Sequence, residues 1–344
     1  MIALLLLALQ APDLETLRAA DLRLATIGHR LSVANVGLCD RRAPAPGLVI
    51  HTLDQYPVEE QPAARATFRF AAPVSVEAVV PGSAAANAGV RANDGLVAID
   101  GAPVPKPATP PTSATREATL RALAARPADR PLALTLADRS VTVPASPGCR
   151  TDFELILGPK MTAEADGTTV RIGVRFLERY IDAEVAAVVA HELSHNVLHH
   201  RDRLEAAGVK WGVLSEFGRN GRLFRRTEDE ADQLSVALLH NAGYDPHNAA
   251  RFWREHGGDV DGGLFRSRTH ASSKDRAGKR TPAQTGLNRT APPSSGSARS
   301  CSECPASGSN SAGSSDRTAQ ARPRYPSTVF PRRAGPVPPA APGR

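Results

Sequence analysis

One segment, residues 183–195, restricts what this chain can fold into more than any other. It reads AEVAAVVA and continues without a break into HELSH, the pattern His-Glu-x-x-His. A helix that is apolar on nearly all sides must be buried, and Asp182 in front of it is an acceptable N-cap. We therefore predict a buried helix that carries two histidines, His191 and His195, four residues apart.

These two histidines and the glutamate between them have the chemistry of a zinc site. Residues four apart lie on one helical face, so both imidazoles can reach one Zn2+ ion at about 2.0–2.1 Å. Glu192 lies next to that face and is the candidate general base that takes a proton from water on the metal. We expect one Zn2+ per chain. Two histidines that are hydrogen-bonded within an ordinary core are the structural alternative.

A catalytic zinc needs a third protein ligand, and the segment TEDEADQL at residues 227–234 offers carboxylates on a second predicted helix. Its inward stripe should consist of Glu228, Ala231, Asp232, Ser235 and Leu238. Buried carboxylates cost free energy unless they meet a cation and a donor. Glu228 is therefore the predicted third ligand, and Asp232 should accept a hydrogen bond from a ligand histidine. Glu230 should form a capping box with Thr227, and solvated surface charge is the alternative for all these acids.

A second informative segment, residues 79–101, reads VVPGSAAANAGVRANDGLVAIDG. It combines a strand, a turn at Gly82, a short Ala-rich helix that Gly89 can end with a positive φ, and another strand. A helix at 116–125 and strands at 132–136 and 141–143 should follow. This order resembles the PDZ domain. Asn93 stands where the family usually has glycine, a mild departure because Asn tolerates the left-handed conformation.

The PDZ resemblance implies a loop just upstream that binds the carboxylate of a peptide. It should lie around Phe68, Arg69 and Phe70, a stretch that lacks the glycines of the family loop. Two functions of the module therefore stay open: peptide binding by strand addition, and a role that is only spacing or packing.

The two metal motifs together resemble the gluzincin peptidases of the HtpX and CAAX-prenyl-protease type, peptidase family M forty-eight. Exported bacterial members with a PDZ module are the most similar. The segments AGYDP at 242–246 and RTH at 268–270 are also similar to that family, and the resemblance covers about residues 14–270. It implies zinc ligands at His191, His195 and Glu228, the base at Glu192, and His270 near the metal as an oxyanion donor or an extra ligand.

The two ends of the chain differ from its middle. Residues 1–11 have the apolar core of a secretory signal, which predicts export to the bacterial periplasm with at most peripheral membrane contact. Residues 266–344 carry 14 Lys and Arg against 3 Asp and Glu, so the tail supplies the chain's net charge of +7. The tail is rich in Ser, Pro and Gly and should be disordered. The alternative for the N-terminal segment is a helix that packs on the protein. The alternative for the tail is an out-of-frame extension of the gene.

Charge and cysteine usage add further limits. The folded part shows no basic stripe, so we expect no nucleic-acid partner. Cys39 and Cys149 are the natural disulfide pair in an oxidising compartment, whereas the CSEC sequence at 301–304 lacks a second pair of metal ligands.

Two expectations concern the surroundings of the metal helix. The alternation in residues 169–175 predicts a strand, which we expect at the edge of a sheet, where an extended substrate would add. His199 and His200 should extend the metal helix at its end rather than bind the metal.

These features predict an α+β protein with a zincin-type metallopeptidase domain, mainly helical with a small sheet, and a PDZ-like α/β-sandwich module. The predicted segments are a signal-like stretch (1–11), an N-terminal helix and loop (12–64), the PDZ-like module (65–147), the peptidase domain (148–271) and a disordered tail (272–344). The expected activity is zinc-dependent endopeptidase cleavage of protein or peptide substrates, above all misfolded envelope proteins. The alternative is a PDZ protein or chaperone that holds clients with little turnover. A structural zinc site is disfavoured because three ligands leave one position open.

Overall fold

The computed structural model describes residues 13–209 and 218–260, in which helices alternate with short strands. The helices are α1 (Leu14–Ala34), α2 (Gln61–Phe68), α3 (Ala84–Asn87), α4 (Ala114–Ala124), α5 (Val174–Arg179), α6 (Asp182–Val197), α7 (His200–Ala206), α8 (Gly218–Asn241) and α9 (Asn248–Val260). The strands are β1 (Arg42–Pro44), β2 (Leu48–Thr52), β3 (Val74–Val79), β4 (Leu96–Ile99), β5 (Ala102–Pro103), β6 (Leu132–Leu136), β7 (Ser140–Val143), β8 (Pro147–Cys149), β9 (Asp152–Ile156), β10 (Ala163–Ala165) and β11 (Thr169–Gly173). The predicted signal-like segment 1–11, His270, the CSEC sequence and the tail 272–344 lie outside the described residues.

The first helix, α1, has the amphipathic pattern that the sequence predicts. Its N-cap is Asp13, whose side chain accepts a hydrogen bond from the Thr16 backbone amide. The helix ends at Ala34, and the side chain of Asn35 turns back and donates to the Leu31 carbonyl at 2.9 Å. Its apolar face contributes to the larger of the described cores, through Leu17, Leu24, Ile27 and Leu31.

Helix α6 lies at the centre of that larger core. Every residue from Val185 to Leu193 is buried, and α1, α8 and α9 pack against the helix together with β10 and β11. The apolar run therefore has neighbours on all sides, as its composition predicts. In the described part of the chain, no helix is both long and apolar enough to cross a bilayer.

A small sheet with the order β10-β11-β9 adjoins α6. Strand β11 pairs in parallel with β9 and antiparallel with β10. The prediction that this strand lies at a sheet edge is therefore wrong: its backbone groups are bonded on both sides and cannot accept a substrate strand.

The part of the chain between α1 and β9 forms a separate antiparallel module. Its strands make a four-stranded sheet, β5-β4-β6-β7, and a β2-β3 pair, linked by a bridge between Ser75 and Gly95. Gly82 and Gly89 have φ of 70° and 85°, and Asn93 has φ of 73°, so all three take the left-handed backbone expected of them. The module's core is apolar and includes Ile50, Val74, Val76, Val90, Leu96, Ile99, Leu132 and Leu134.

The module begins earlier than the predicted residue 65. Strand β2 pairs with β3 over Leu48–Val79 to Thr52–Val74, and Ile50 belongs to the module's core. A 3₁₀ turn and α2 fill the connection between these strands, so the pairing joins segments that are far apart in sequence. The first strand of the module thus lies within the stretch that we assign above to the N-terminal helix and loop.

A narrow neck connects the module to the rest of the protein. Strands β1 and β8 pair antiparallel, with Arg42 opposite Cys149 and Pro44 opposite Pro147. A disulfide joins Cys39 and Cys149, whose Cα atoms are 5.4 Å apart across 110 residues of chain.

Two arginines join the module to the helical half beyond this neck. Arg18 of α1 donates to the Asn93 side chain at 2.9 Å, and its guanidinium lies 4.6 Å from the Phe68 ring centroid. Arg116 of α4 binds the Glu154 carboxylate on β9. All described residues belong to one compact unit.

Candidate metal centre

Helices α6 and α8 pack along each other and bring the three predicted ligands together. His191 and His195 share one face of α6, and Glu228 faces them from α8. The Nε2 atoms of the two histidines are 3.2 Å apart. The Glu228 carboxylate places Oε2 3.3 Å from His191 Nε2 and Oε1 3.4 Å from His195 Nε2.

The spacing of these nitrogen and oxygen atoms suits zinc. In a tetrahedral site with zinc–ligand distances of about 2.0–2.1 Å, the ligand atoms lie about 3.3–3.4 Å from one another. Each observed separation is close to that value: 3.2 Å between the two imidazole nitrogens, 3.3 Å from His191 Nε2 to Glu228 Oε2, and 3.4 Å from His195 Nε2 to Glu228 Oε1. Two imidazoles and a carboxylate are also the donor types that zinc prefers, and within residues 13–209 and 218–260 no fourth ligand joins these three.

A second group in the described residues also places possible metal ligands close together. It consists of Glu184, Glu255 and His256. It is more exposed than the first group, and His256 Nε2 is 3.1 Å from the Glu184 carboxylate, which accounts for their proximity without an ion.

Asp232 fixes the orientation of the His191 ring. It lies one turn after Glu228 on α8, and its Oδ1 is 3.1 Å from His191 Nδ1. The ring N–H donates to the carboxylate at Nδ1, which leaves the lone pair of Nε2 facing Glu228. On the opposite face of α8, Asp229 and Gln233 are exposed, in agreement with the predicted stripe.

Glu192 is buried beside the ligands. It follows His191 on α6, and only 4% of its surface is exposed. Trp253 of α9 packs edge-on against the His191 ring, with ring centroids 6.1 Å apart. Glu192 and His191 are thus both shielded from water, and electrostatic interactions are stronger in such a buried site than in water.

The chain reverses directly after α6, which differs from the predicted extension of that helix. The helix ends at Val197, His199 has the left-handed conformation with φ of 52°, and α7 begins at His200. The reversal brings His200 Nδ1 to 2.8 Å from His195 Nδ1. The half-buried neighbour, His199, instead binds Asp40 through Nε2 at 2.8 Å.

Glu230 holds the other side of the His200 ring. Its Oε2 is 3.2 Å from His200 Nε2, and Arg203 and Arg226 donate to the same carboxylate at 2.6 and 2.8 Å. The hydrogen bond from Arg203 lowers the pKa of Glu230 to about 2. Burial lowers the pKa of His200 to about 4. An anionic carboxylate and a neutral imidazole are therefore the states at neutral pH.

The predicted capping box between Thr227 and Glu230 is wrong. Helix α8 begins at Gly218, so Thr227 lies inside it and donates its hydroxyl to the Phe224 carbonyl at 2.8 Å. Sequence reasoning missed the contact with His200 because it depends on the reversal at the non-glycine residue before it. No turn signal in the sequence marks that reversal.

The predicted peptide-binding loop has a different role in the structure. Phe68 ends α2 and is fully buried in a cluster with Tyr56, and Arg69 is the left-handed C-cap of that helix with φ of 46°. Phe70 stacks on His51 with ring centroids 4.4 Å apart, and its outer side lines a cavity of about 480 Å³. Phe68 and Arg69 do not line this cavity.

The outer edge of β2 is occupied by side chains of the protein itself. Arg116 Nε donates to the Ile50 carbonyl at 3.0 Å, and the Thr52 amide donates to the Gln55 side chain at 3.1 Å. A peptide that adds as a strand at this edge would compete with both contacts.

Comparison with known proteins identifies one part of the chain. Residues 75–136 match the PDZ domain family. The match runs from β3 to β6 and includes the short helix α3 and its flanking glycines. PDZ domains bind peptides or proteins, so a protein or peptide is the partner class that this match supports. A search of curated proteins with the whole sequence found no match.

Proposed function

We propose that this protein is a zinc-dependent metalloendopeptidase with a zincin-type catalytic half and an inserted PDZ domain. The observation that carries the proposal is the set of three separations, 3.2–3.4 Å, among ligand atoms of His191, His195 and Glu228. A buried glutamate, Glu192, stands directly beside them. A site that served only structure would need a fourth ligand and would have no use for that glutamate.

The chain's own residues divide the chemistry among them. His191, His195 and Glu228 would hold the ion, and Asp232 keeps one imidazole in the tautomer that can ligate. Zinc in such a site polarises a peptide carbonyl and makes water acidic enough to react at neutral pH. Glu192 takes a proton from the attacking water and passes it to the leaving amide nitrogen.

The substrates in this proposal are unfolded proteins. The PDZ domain supports a protein or peptide partner. The signal-like start suggests that the enzyme acts after export, in the periplasm, on misfolded envelope proteins, as its resemblance to the HtpX-type peptidases implies. The module would then deliver or retain chains that the metal site cuts.

A second candidate function follows from the PDZ match alone. In that case the protein holds clients at the module and turns them over slowly or not at all. The match from residue 75 to residue 136 favours this candidate because it supports protein binding without any statement about catalysis.

One experiment separates the two candidates. The full chain and the Glu192→Gln variant are loaded with zinc, their zinc content is measured, and each is mixed with a fluorescently labelled, chemically unfolded protein. The variant should keep its zinc and lose about 10²–10⁴-fold in cleavage rate, the usual contribution of a general base. Glu178→Gln, the same change at an exposed position just before α6, should cut like the wild type.

Each other outcome has a distinct meaning. Full activity in Glu192→Gln would remove the proposed base. Stoichiometric zinc with no cleavage by any form would favour the holding function. Failure of the wild type to bind zinc would reject the metal centre itself.

A further inference from the structure

We propose that His200 is a positioning residue for the metal centre: it fixes the tautomer and direction of the His195 ring. The inference rests on the proposed zinc function and concerns a residue outside the ligand set. The carrying observation is the 2.8 Å separation between His200 Nδ1 and His195 Nδ1.

Two ring nitrogens at that distance share one hydrogen, so one donates and the other accepts. The carboxylate of Glu230, 3.2 Å from His200 Nε2, can only accept. His200 therefore carries its hydrogen on Nε2. An imidazole whose hydrogen is on Nε2 has a lone pair at Nδ1, so Nδ1 of His200 is the acceptor.

This assignment determines the state of the neighbouring ligand. His195 donates through Nδ1–H to His200, so its Nε2 carries no hydrogen. That Nε2 is the atom that faces His191 Nε2 at 3.2 Å and the Glu228 carboxylate at 3.4 Å. The lone pair thus points to the place where a metal ligand needs it.

The two ligand histidines are oriented from the same helix by different means. Asp232 of α8 reaches His191 Nδ1 directly, at 3.1 Å. Glu230, two residues earlier on the same helix, acts on His195 through His200. Arg203 of α7 and Arg226 of α8 hold the Glu230 carboxylate in place. The His200 ring, which contacts this carboxylate on one side and His195 on the other, therefore has little freedom to rotate.

The test measures zinc affinity rather than activity. Zinc is titrated into the full-length, metal-free protein in competition with a chromophoric chelator. His200→Phe keeps a ring but has no acceptor, and it should weaken zinc binding about 10–100-fold, the usual effect of losing such a support. His200→Asn places an oxygen close to the position of Nδ1 and should restore most of the affinity. His247→Phe, the same change at an exposed histidine, controls for adventitious binding.

The outcomes distinguish this inference from the proposed function. If the wild type binds zinc and His200→Phe binds it equally well, the positioning role is rejected and the zinc site stands. Equal losses in His200→Phe and His200→Asn would also reject the role, because an acceptor at that position would then not matter. If the wild type binds no zinc, the proposed function fails first.

A measurement on the wild type avoids any dependence on how the variants fold. Nitrogen-15 NMR of the histidine-labelled, zinc-loaded chain reports which ring nitrogen of His195 carries hydrogen, with His195→Gln used to assign the signal. We expect the Nδ1–H form. The Nε2–H form would overturn the inference.

Discussion

At the scale of single residues, Gly28 shows how closely the helical half that contains α6 is packed. It lies in the middle of α1, where glycine lowers helix stability by about 0.5–1 kcal/mol relative to alanine. A Cβ at this position would come within 2.5 Å of the Phe153 ring on β9. The missing side chain therefore allows the helix to lie against the sheet.

We predict that Gly28→Ala destabilises the protein despite its better helix propensity. Overpacking costs about 1–3 kcal/mol, which exceeds the propensity gain. Urea unfolding of the full chain measures the difference. Gly37→Ala, at an exposed position where a Cβ meets nothing within 4 Å, should change the free energy of unfolding by less than about 0.5 kcal/mol. A stabilised Gly28→Ala would show that the ring moves aside without cost.

Sequence reasoning places single residues well where helical geometry alone decides. His191 and His195 share a face because they are four apart, and Glu228 and Asp232 share one for the same reason. It fails where a side chain's position depends on a backbone reversal. His200 comes to the site only because His199 takes a positive φ, which no local pattern in the sequence indicates.

At the scale of elements, Arg116 connects a helix of the PDZ domain to two separate strands. It lies on α4, donates to the Ile50 carbonyl at the outer edge of β2, and binds Glu154 on β9. Glu154 is also held by Arg171 of the central strand β11, at 3.1 Å. One buried guanidinium thus joins the edge of the module to the sheet beside α6.

We predict that Arg116→Met lowers the free energy of unfolding by about 1–3 kcal/mol, because it leaves the buried Ile50 carbonyl without its donor. Methionine keeps the length and apolar character of the side chain. Arg121→Met on the same helix, where the arginine is largely exposed, should have an effect near zero. Equal unfolding curves for Arg116→Met and the wild type would contradict this account of the connection.

Element types are easier to predict than their neighbours in the sheet. The alternation in 169–173 correctly indicates β11, but a strand's position within a sheet depends on partners elsewhere in the chain, here β9 and β10. Strand β2 is missed because its partner β3 follows only after α2 and a long connection. Helix α8 begins at Gly218, well before Thr227, where the sequence predicts its cap, because tertiary packing outweighs the local signal.

At the scale of the whole molecule, the disulfide between Cys39 and Cys149 closes a loop of 110 residues. Loops of this length gain most from a crosslink, because the open chain has the greatest freedom to lose. We predict that the double variant Cys39→Ser, Cys149→Ser loses about 2–5 kcal/mol of unfolding free energy. Urea unfolding of the variant beside oxidised and reduced wild type is the measurement.

The reduced wild type is the matched control for this prediction. It should unfold at the same urea concentration as the double variant, since both lack only the crosslink. Coincidence of all three curves would mean that the neck strands β1 and β8 hold the loop closed without the bond.

The overall architecture of the molecule is largely predictable from its sequence. A mixed α+β fold with a PDZ domain follows from hydrophobic periodicity and from the glycine and turn pattern of residues 79–101, and the match over residues 75–136 confirms that domain. The boundary at residue 65 is not predictable in this way. A domain edge is set by which distant strands pair, and the local composition around β2 resembles that of a loop.

The chain enters and leaves the module at one place, the neck formed by β1 and β8. The module's two ends, Cys39 and Cys149, have Cα atoms 5.4 Å apart, a gap that two or three residues of linker can bridge. A gene that lost or exchanged everything between them would still encode an uninterrupted path from α1 to α6 and α8. The module is therefore an insertion between two chain segments that already lie close together. A replacement module could be spliced in at this one point without breaking the chain between α1 and the buried histidines, but it would have to replace the contacts that Arg18 and Arg116 make across the boundary.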